Sequence, residues 1–154
     1  MAEQILVIKH GAFGDVVQGF DAFSSLRTSF AEAKITLLTT APYAGLLRNS
    51  GWFDEIILDA RAPAWKLTEL WRMRSILRRR WDKIIDLQCS RRTARYAQLC
   101  RPDTRWFGTA SGVSDPMPDF KGVNNRERML TAVKMAGAQE HEDALSFLRS
   151  ADLP

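Results

Sequence analysis

Residues that hold metals or disulfides are scarce. The 154-residue chain has two cysteines, Cys89 and Cys100, and two histidines, His10 and His141. Two thiols cannot build a disulfide framework or a four-thiolate zinc site, and the histidines add no metal-ligand spacing. Both cysteines read as half-buried apolar residues. Long apolar runs are missing too. The longest aliphatic stretch is Ile5-Leu6-Val7-Ile8, against the roughly 18 residues of a membrane span. The opening Met1-Ala2-Glu3-Gln4 carries an acid where a secretory leader is basic, and the apolar run behind it is too short for a leader's core. The expectation is a cytoplasmic protein. Hydrophobic residues at 45% and charged residues at 26% exclude wholesale disorder. The length fits one domain with a sizeable core.

Charge says more by position than in total. The net charge is +4, yet residues 1–60 carry −3, residues 61–105 carry +9 and residues 106–154 carry −2. Eleven of the thirteen cations in the central segment are arginines. The planar guanidinium fork suits carboxylates and phosphates, so an anionic partner or a solvated helix face is expected there.

The hydrophobic pattern alternates between two kinds of segment. Residues 5–9 form a short continuous aliphatic run, as in a strand buried on both faces of a parallel sheet. A glycine-bearing turn, His10-Gly11-Ala12-Phe13-Gly14, leads to Asp15, and Val16, Phe20, Phe23, Leu26 and Phe30 then recur at helical spacing. Strands follow at 34–39, 55–58, 83–87 and 106–108. A short helix opens at Pro42 and closes near Gly51. A helix over 65–80 is expected to bury Leu67, Leu70, Trp71 and Leu77, widened by Met73 and Ile76. Ser90 is placed to cap a helix reaching Cys100. Residues 108–123 read as loop, residues 125–136 as a helix ending at Gly137, and residues 145–148 as a further short turn or linker. Strands alternating with helices over short connections predict an α/β fold, a Rossmann-like parallel sheet flanked by helices.

Ligands of such sheets bind beyond the carboxyl ends of the strands. The first of these loops lacks the third glycine of a dinucleotide fingerprint and the Lys-Ser/Thr of a Walker loop. Gly11 and Gly14 let backbone approach a ligand, and Asp15 follows as either a helix cap or a carboxylate base. The loop after the fourth strand offers Gln88 and the amides near Ser90 as hydrogen-bonding groups, with Arg91, Arg92 and Arg95 for an anion.

The segment Ile5-Leu6-Val7-Ile8-Lys9-His10-Gly11-Ala12-Phe13-Gly14-Asp15-Val16-Val17 resembles the opening of the lipopolysaccharide heptosyltransferases, glycosyltransferase family 9. Residues 34–39, Phe53-Asp54-Glu55-Ile56-Ile57, the segment 81–88 ending in Asp86-Leu87-Gln88, Arg105-Trp106-Phe107-Gly108 and Asn125-Arg126-Glu127-Arg128 continue the likeness in order. The resemblance implies a two-domain GT-B enzyme that transfers heptose with inversion and without a metal. It implies that residues 1–150 are the amino-terminal, acceptor-binding domain, with Asp15 as base. Gly11, Gly14, Gln88, Ser90, Arg91, Arg92 and Arg95 would then line the acceptor, a lipopolysaccharide inner core. Where the family has glycine after the glutamine, this chain has Cys89. Residues 151–154 resemble the start of the interdomain linker. A nucleotide-heptose donor, ADP-heptose, would belong to a carboxyl-terminal domain beyond them, so no cofactor is expected on this chain and no catalysis from it alone. The arginines would hold acceptor anions or meet an anionic membrane at the inner face of the inner membrane.

Two other classes remain. One is a non-catalytic Rossmann-type domain that binds an anion or nucleotide. The other, nucleic-acid binding through the arginines, is disfavoured because no reading motif is present and the basic residues are interleaved with core positions.

Overall fold

The computed structural model describes residues 2–118 and 122–141. The expected turn at 145–148 and the linker start at 151–154 lie outside the described residues. Strand β1 spans Gln4–Ile8, β2 Lys34–Thr39, β3 Glu55–Leu58, β4 Lys83–Asp86, β5 Arg105–Gly108 and β6 Asp115–Pro116. They form one sheet in the order β3-β2-β1-β4-β5-β6, and every pairing is parallel. This is the doubly wound Rossmann order, with its topological switch point between β1 and β4. Around the sheet run α1 (Phe13–Gln18), α2 (Phe20–Ser29), α3 (Ala41–Arg48), α4 (Leu67–Leu77), α5 (Arg91–Ala97) and α6 (Asn125–Met135).

The aliphatic strands are buried because each feeds both faces. Ile5, Val7, Ile35, Leu37 and Ile85 pack with Phe20, Phe23 and Leu26 of α2 and Met129 and Val133 of α6. Leu6, Ile8, Leu38 and Ile84 point the other way, against Met73 and Leu77 of α4 and Tyr96 of α5. Period two along a strand thus sorts one short run into two cores. No helix among the described residues is long and apolar enough to cross a membrane.

Three local expectations change. The single helix expected from Asp15 to Phe30 is two, broken at Gly19, whose N–H is shared between the Asp15 and Val16 carbonyls. A Cβ at Gly19 would come within 3.2 Å of Phe23, Met129 and the Val16 carbonyl, so the break is also a close approach. Residues 115–116, read as loop, form the edge strand β6. It is tied to β5 by Arg105 Nη2 donating to Asp115 Oδ1 at 2.8 Å. The inward face of α4 is Met73 and Leu77, while Leu67, Leu70 and Trp71 are exposed. α4 is apolar on two faces, and the sheet takes only one.

Candidate active site

The carboxyl ends of β1 and β4 meet at the switch point, and two loops grow from them. Lys9 and His10 continue β1 and are buried. Gly11 then turns the chain with φ at +150°, and a Cβ there would lie 2.7 Å from Cε2 of Tyr43. The turn opens α1, in which Ala12 is the N-cap residue and Asp15 the third helical residue. Asp15 is therefore not a cap. Its carboxylate is turned to another purpose: Oδ1 accepts from Nδ2 of Asn125 at 2.6 Å.

Asn125 opens α6, which is capped by Asn124 through the Glu127 N–H. One turn on, Arg128 donates Nε to Oδ1 of Asn125 at 3.2 Å and Nη2 to the Leu87 carbonyl at 2.7 Å. Arginine only donates, so the Asn125 amide is oriented by its neighbour: its oxygen faces Arg128 and its NH2 faces Asp15. The chain Asp15–Asn125–Arg128–Leu87 links three elements at the end of the sheet. Nη1 of Arg128 is buried with no hydrogen-bond partner among the described residues.

The β4 loop braces the β1 loop from the other side. Oε1 of Gln88 accepts the His10 N–H at 3.1 Å and approaches the Gly11 N–H at 3.5 Å. Buried Asp86 holds that loop in shape, its Oδ1 accepting from the amides of Gln88 and Cys89 at 3.0 and 2.9 Å. Burial raises the Asp86 carboxyl above its ordinary value, against those hydrogen bonds. Cys89 adopts φ +51°, the left-handed region that glycine favours. Burial pushes its thiol up, and Asp86 adds to the shift, so it stays protonated at neutral pH. Burial lowers Lys9 first and the Arg128 cation lowers it further, while Asp15, Cys89 and Asp86 pull it back. Lys9 is thus set between the Arg128 cation and the carboxyl groups of Asp15 and Asp86 beneath the loops.

A second group adjoins through His10. Nε2 of His10 stands 2.8 Å from Oδ2 of Asp59, and the Tyr96 hydroxyl donates to the same oxygen at 2.5 Å. Burial alone would raise Asp59. The His10 imidazole, the Tyr96 hydroxyl and the Arg61 amide outweigh it and hold the carboxyl below its ordinary range. Burial, then Asp59, pushes Tyr96 well up. Asp59 and Tyr96 form one wall of a cleft that Leu70, Arg92 and Arg95 also line.

A glycosyl transferase family 9 protein from Veillonella parvula superposes with a TM-score of 0.75, covering 92% of this chain and 42% of its own, at 17% identity. The E. coli heptosyltransferase WaaC, solved with ADP, gives 0.72 over 98% of this chain and 54% of its own, again at 17% identity. The fold is that of the heptosyltransferases. The E. coli ADP-heptose lps heptosyltransferase II agrees, with a TM-score of 0.64, 19% identity and coverage of 84% of this chain and 40% of that one. No family model and no curated protein matches the chain. The chain spans about half the length of these three structures or less.

On this heptosyltransferase-like sheet the sequence-chosen residues separate. Gly11, Asp15 and Gln88 converge at the switch point. A Cβ on Gly14 would meet nothing, so that backbone is open to approach. Ser90 closes a capping box with Thr93: its Oγ accepts the Thr93 N–H at 3.2 Å, and Thr93 Oγ1 accepts the Ser90 N–H at 2.9 Å. Arg92 donates to the carbonyls of Ala62 and Arg61, both at 3.0 Å. It lines the cleft beside Arg95, away from Asp15, and Arg91 is exposed at the start of α5. Asn125 and Arg128 were not singled out as site residues. Their signal was a polar Asn-Asn-Arg-Glu-Arg helix start after a loop, which sequence alone cannot bring within reach of residue 15. Among the described residues no group of three or more histidine, cysteine, aspartate or glutamate side chains is placed to hold a metal ion.

Proposed function

We propose that this chain is the acceptor-binding half of a heptosyltransferase-type sugar transferase, with Asp15 as its general base. The observation that carries the reading is the held carboxylate. Asn125 fixes Oδ1, while Oδ2 has no hydrogen-bond partner among the described residues. A carboxylate fixed through one oxygen presents the other at a defined position, as proton abstraction requires. In the transfer, Oδ2 takes the proton of an acceptor hydroxyl while the hydroxyl oxygen bonds to the anomeric carbon of the donor sugar. The bond from that carbon to the nucleoside diphosphate breaks, and the diphosphate leaves with the electron pair. Attack opposite to the leaving group inverts the anomeric centre, and the reading needs no metal.

The donor, a nucleotide-heptose such as ADP-heptose, belongs in this reading to a second, carboxyl-terminal half. Structures of E. coli WaaC hold ADP and an ADP-fluoroheptose, which supports that donor class. The acceptor is a sugar acid of the lipopolysaccharide inner core, met at the cytoplasmic face of the inner membrane. Its anionic groups suit Arg95 and Arg91, which, unlike Arg92, hold no backbone carbonyl among the described residues. Residues 1–150 would be this domain and 151–154 its way out.

The test joins the chain to a donor-binding half and compares Asp15→Asn with the parent. Asparagine keeps shape and the contact to Asn125 but takes no proton, so turnover should fall by about 10²–10⁴-fold with acceptor affinity little changed. Near-normal turnover would refute Asp15 as base. The chain by itself should bind acceptor without appreciable affinity for ADP-heptose. Micromolar donor binding, worth about −8 kcal/mol, would favour a nucleotide-binding domain instead.

A further inference from the structure

Lys9 is the only lysine or arginine among the described residues that is buried, with 2% of its surface exposed. The strand sends it inward. Its N–H stays in the ladder, donating to the Leu38 carbonyl at 3.0 Å. The alternation that turns Ile5 and Val7 toward α2 and α6 therefore turns Lys9 the same way. At the carboxyl end of the sheet that face carries α1 with Asp15 and α6 with Arg128.

The ammonium of Lys9 has neither a hydrogen bond nor an ion pair among the described residues. The groups that act on it come from three neighbouring elements: Asp15 on α1, Arg128 on α6, and Asp86 and Cys89 at the end of β4. Asp15 attracts it, yet the two charges do not close into a pair. Arg128 repels it, and spends its own Nε and Nη2 on Asn125 and the Leu87 carbonyl. Buried lysines are ordinarily paired, and an unpartnered one works against folding. A cation held at such a cost beside a free carboxylate oxygen points to a function at that spot.

We propose that Lys9 is a second catalytic residue of the sugar transfer: its ammonium donates to the oxygen of the acceptor hydroxyl whose proton Asp15 removes. The assignment rests on the reading of Asp15 as base. A hydroxyl suits the gap between the two side chains, because it donates to a carboxylate and accepts from an ammonium at once. An anionic group in the same gap would face the charge of Asp15. A sugar hydroxyl is a far weaker acid than a carboxylic acid, so negative charge builds on its oxygen as the proton leaves. An ammonium already fixed at that oxygen stabilises the charge where it develops. Lys9 keeps its protons throughout. The hydroxyl proton goes to Oδ2 of Asp15, and an electron pair of the hydroxyl oxygen forms the bond to the anomeric carbon. The nucleoside diphosphate departs with the pair of the bond that breaks.

Lys9→Met keeps the apolar stem and deletes the ammonium, and two measurements read it. In thermal unfolding of the 154-residue chain, methionine should raise Tm by about 2–4 °C, because an unpartnered buried charge is gone. A lysine held for structure would lower Tm when lost, and that result would overturn the proposal. In the chain joined to a donor-binding half, turnover should fall about 10²-fold, the worth of one donor at a developing charge. Acceptor KM should move by less than about threefold. An acceptor with fluorine beside the reacting hydroxyl is the stronger acid and needs less help, so there the loss should shrink to about tenfold or less. An equal loss with both acceptors would overturn the assignment. So would near-normal turnover of Lys9→Met where Asp15→Asn collapses, which would leave the base standing and strike Lys9 alone. Near-normal turnover of Asp15→Asn would instead remove the base, and with it the hydroxyl that Lys9 is assigned to hold.

Discussion

Removing one oxygen atom tests the network behind the candidate base. Tyr96→Phe deletes the hydroxyl that donates to Asp59 at 2.5 Å and leaves the ring in its core beside Trp106 and Leu77. A hydrogen bond to a charged partner contributes about 1.5–3 kcal/mol. Asp59 keeps the His10 imidazole and the Arg61 amide, so no buried charge is orphaned and the low end applies, about 1.5–2 kcal/mol. For a domain of this size that lowers Tm by about 3–8 °C. The loss also depends on pH. Because Asp59 is held below its ordinary value in the folded state, its contribution is present above the unfolded carboxylate pKa of about 4. It disappears as pH falls through the depressed folded value. Without the Tyr96 hydroxyl the folded pKa rises toward the unfolded one. The phenylalanine variant should therefore lose most stability near neutrality and less in acid, where a neutral bond of about 0.5–1.5 kcal/mol is all there is to lose. Urea unfolding followed by circular dichroism at a series of pH values reads both effects. A stability loss below about 0.5 kcal/mol at neutral pH, ordinary for an exposed site, would refute the network as described.

Two further substitutions test the loops. Gly11→Ala should cost about 1–3 kcal/mol of unfolding free energy, because φ is +150° and the new Cβ meets Tyr43; trimming Tyr43 to alanine should restore only part of it in urea melts, since the backbone strain stays. Ser90→Ala should cost about 1 kcal/mol through the lost cap and leave acceptor affinity untouched; a fall in affinity by titration calorimetry with no loss of stability would make Ser90 a ligand-binding residue.

The sheet was legible because β1 to β5 each hold consecutive apolar residues in a short segment, with the polar ones, such as Lys34, Glu55, Lys83 and Arg105, mostly at the strand ends. The α4 face was not. Leu67, Leu70, Trp71, Met73 and Leu77 satisfy helical spacing in more than one phase, and only the shape of the sheet beneath selects Met73 and Leu77. The break at Gly19 was hidden because Val16, Phe20 and Phe23 all turn inward on both sides of it. β6 is two residues long, held by a cross-strand ion pair rather than by apolar pattern. At the candidate site, Asp15 and Gln88 stood out by following strands, a local fact. Asn125 lies 110 residues from its partner Asp15, and no local rule spans such a gap. Asp59 and Tyr96 were likewise unread, since a lone acid after a strand and a lone tyrosine in a helix carry no signal until the fold pairs them.

The lacing of the sheet's edge bears on motion. Thr40, just past β2, donates its hydroxyl to the His10 carbonyl at 2.6 Å, while the His10 ring reaches across to Asp59 beyond β3. Three strand ends are therefore stitched by side chains as well as by the ladder, and Gln88 adds the fourth. An edge laced this way is expected to open as a unit, read as amides of β1 to β4 that exchange together. The Asp15 loop is in that sense part of the chassis. Any adjustment to an incoming ligand falls to the arginines at the rim, whose long side chains can swing while the carboxylate holds still.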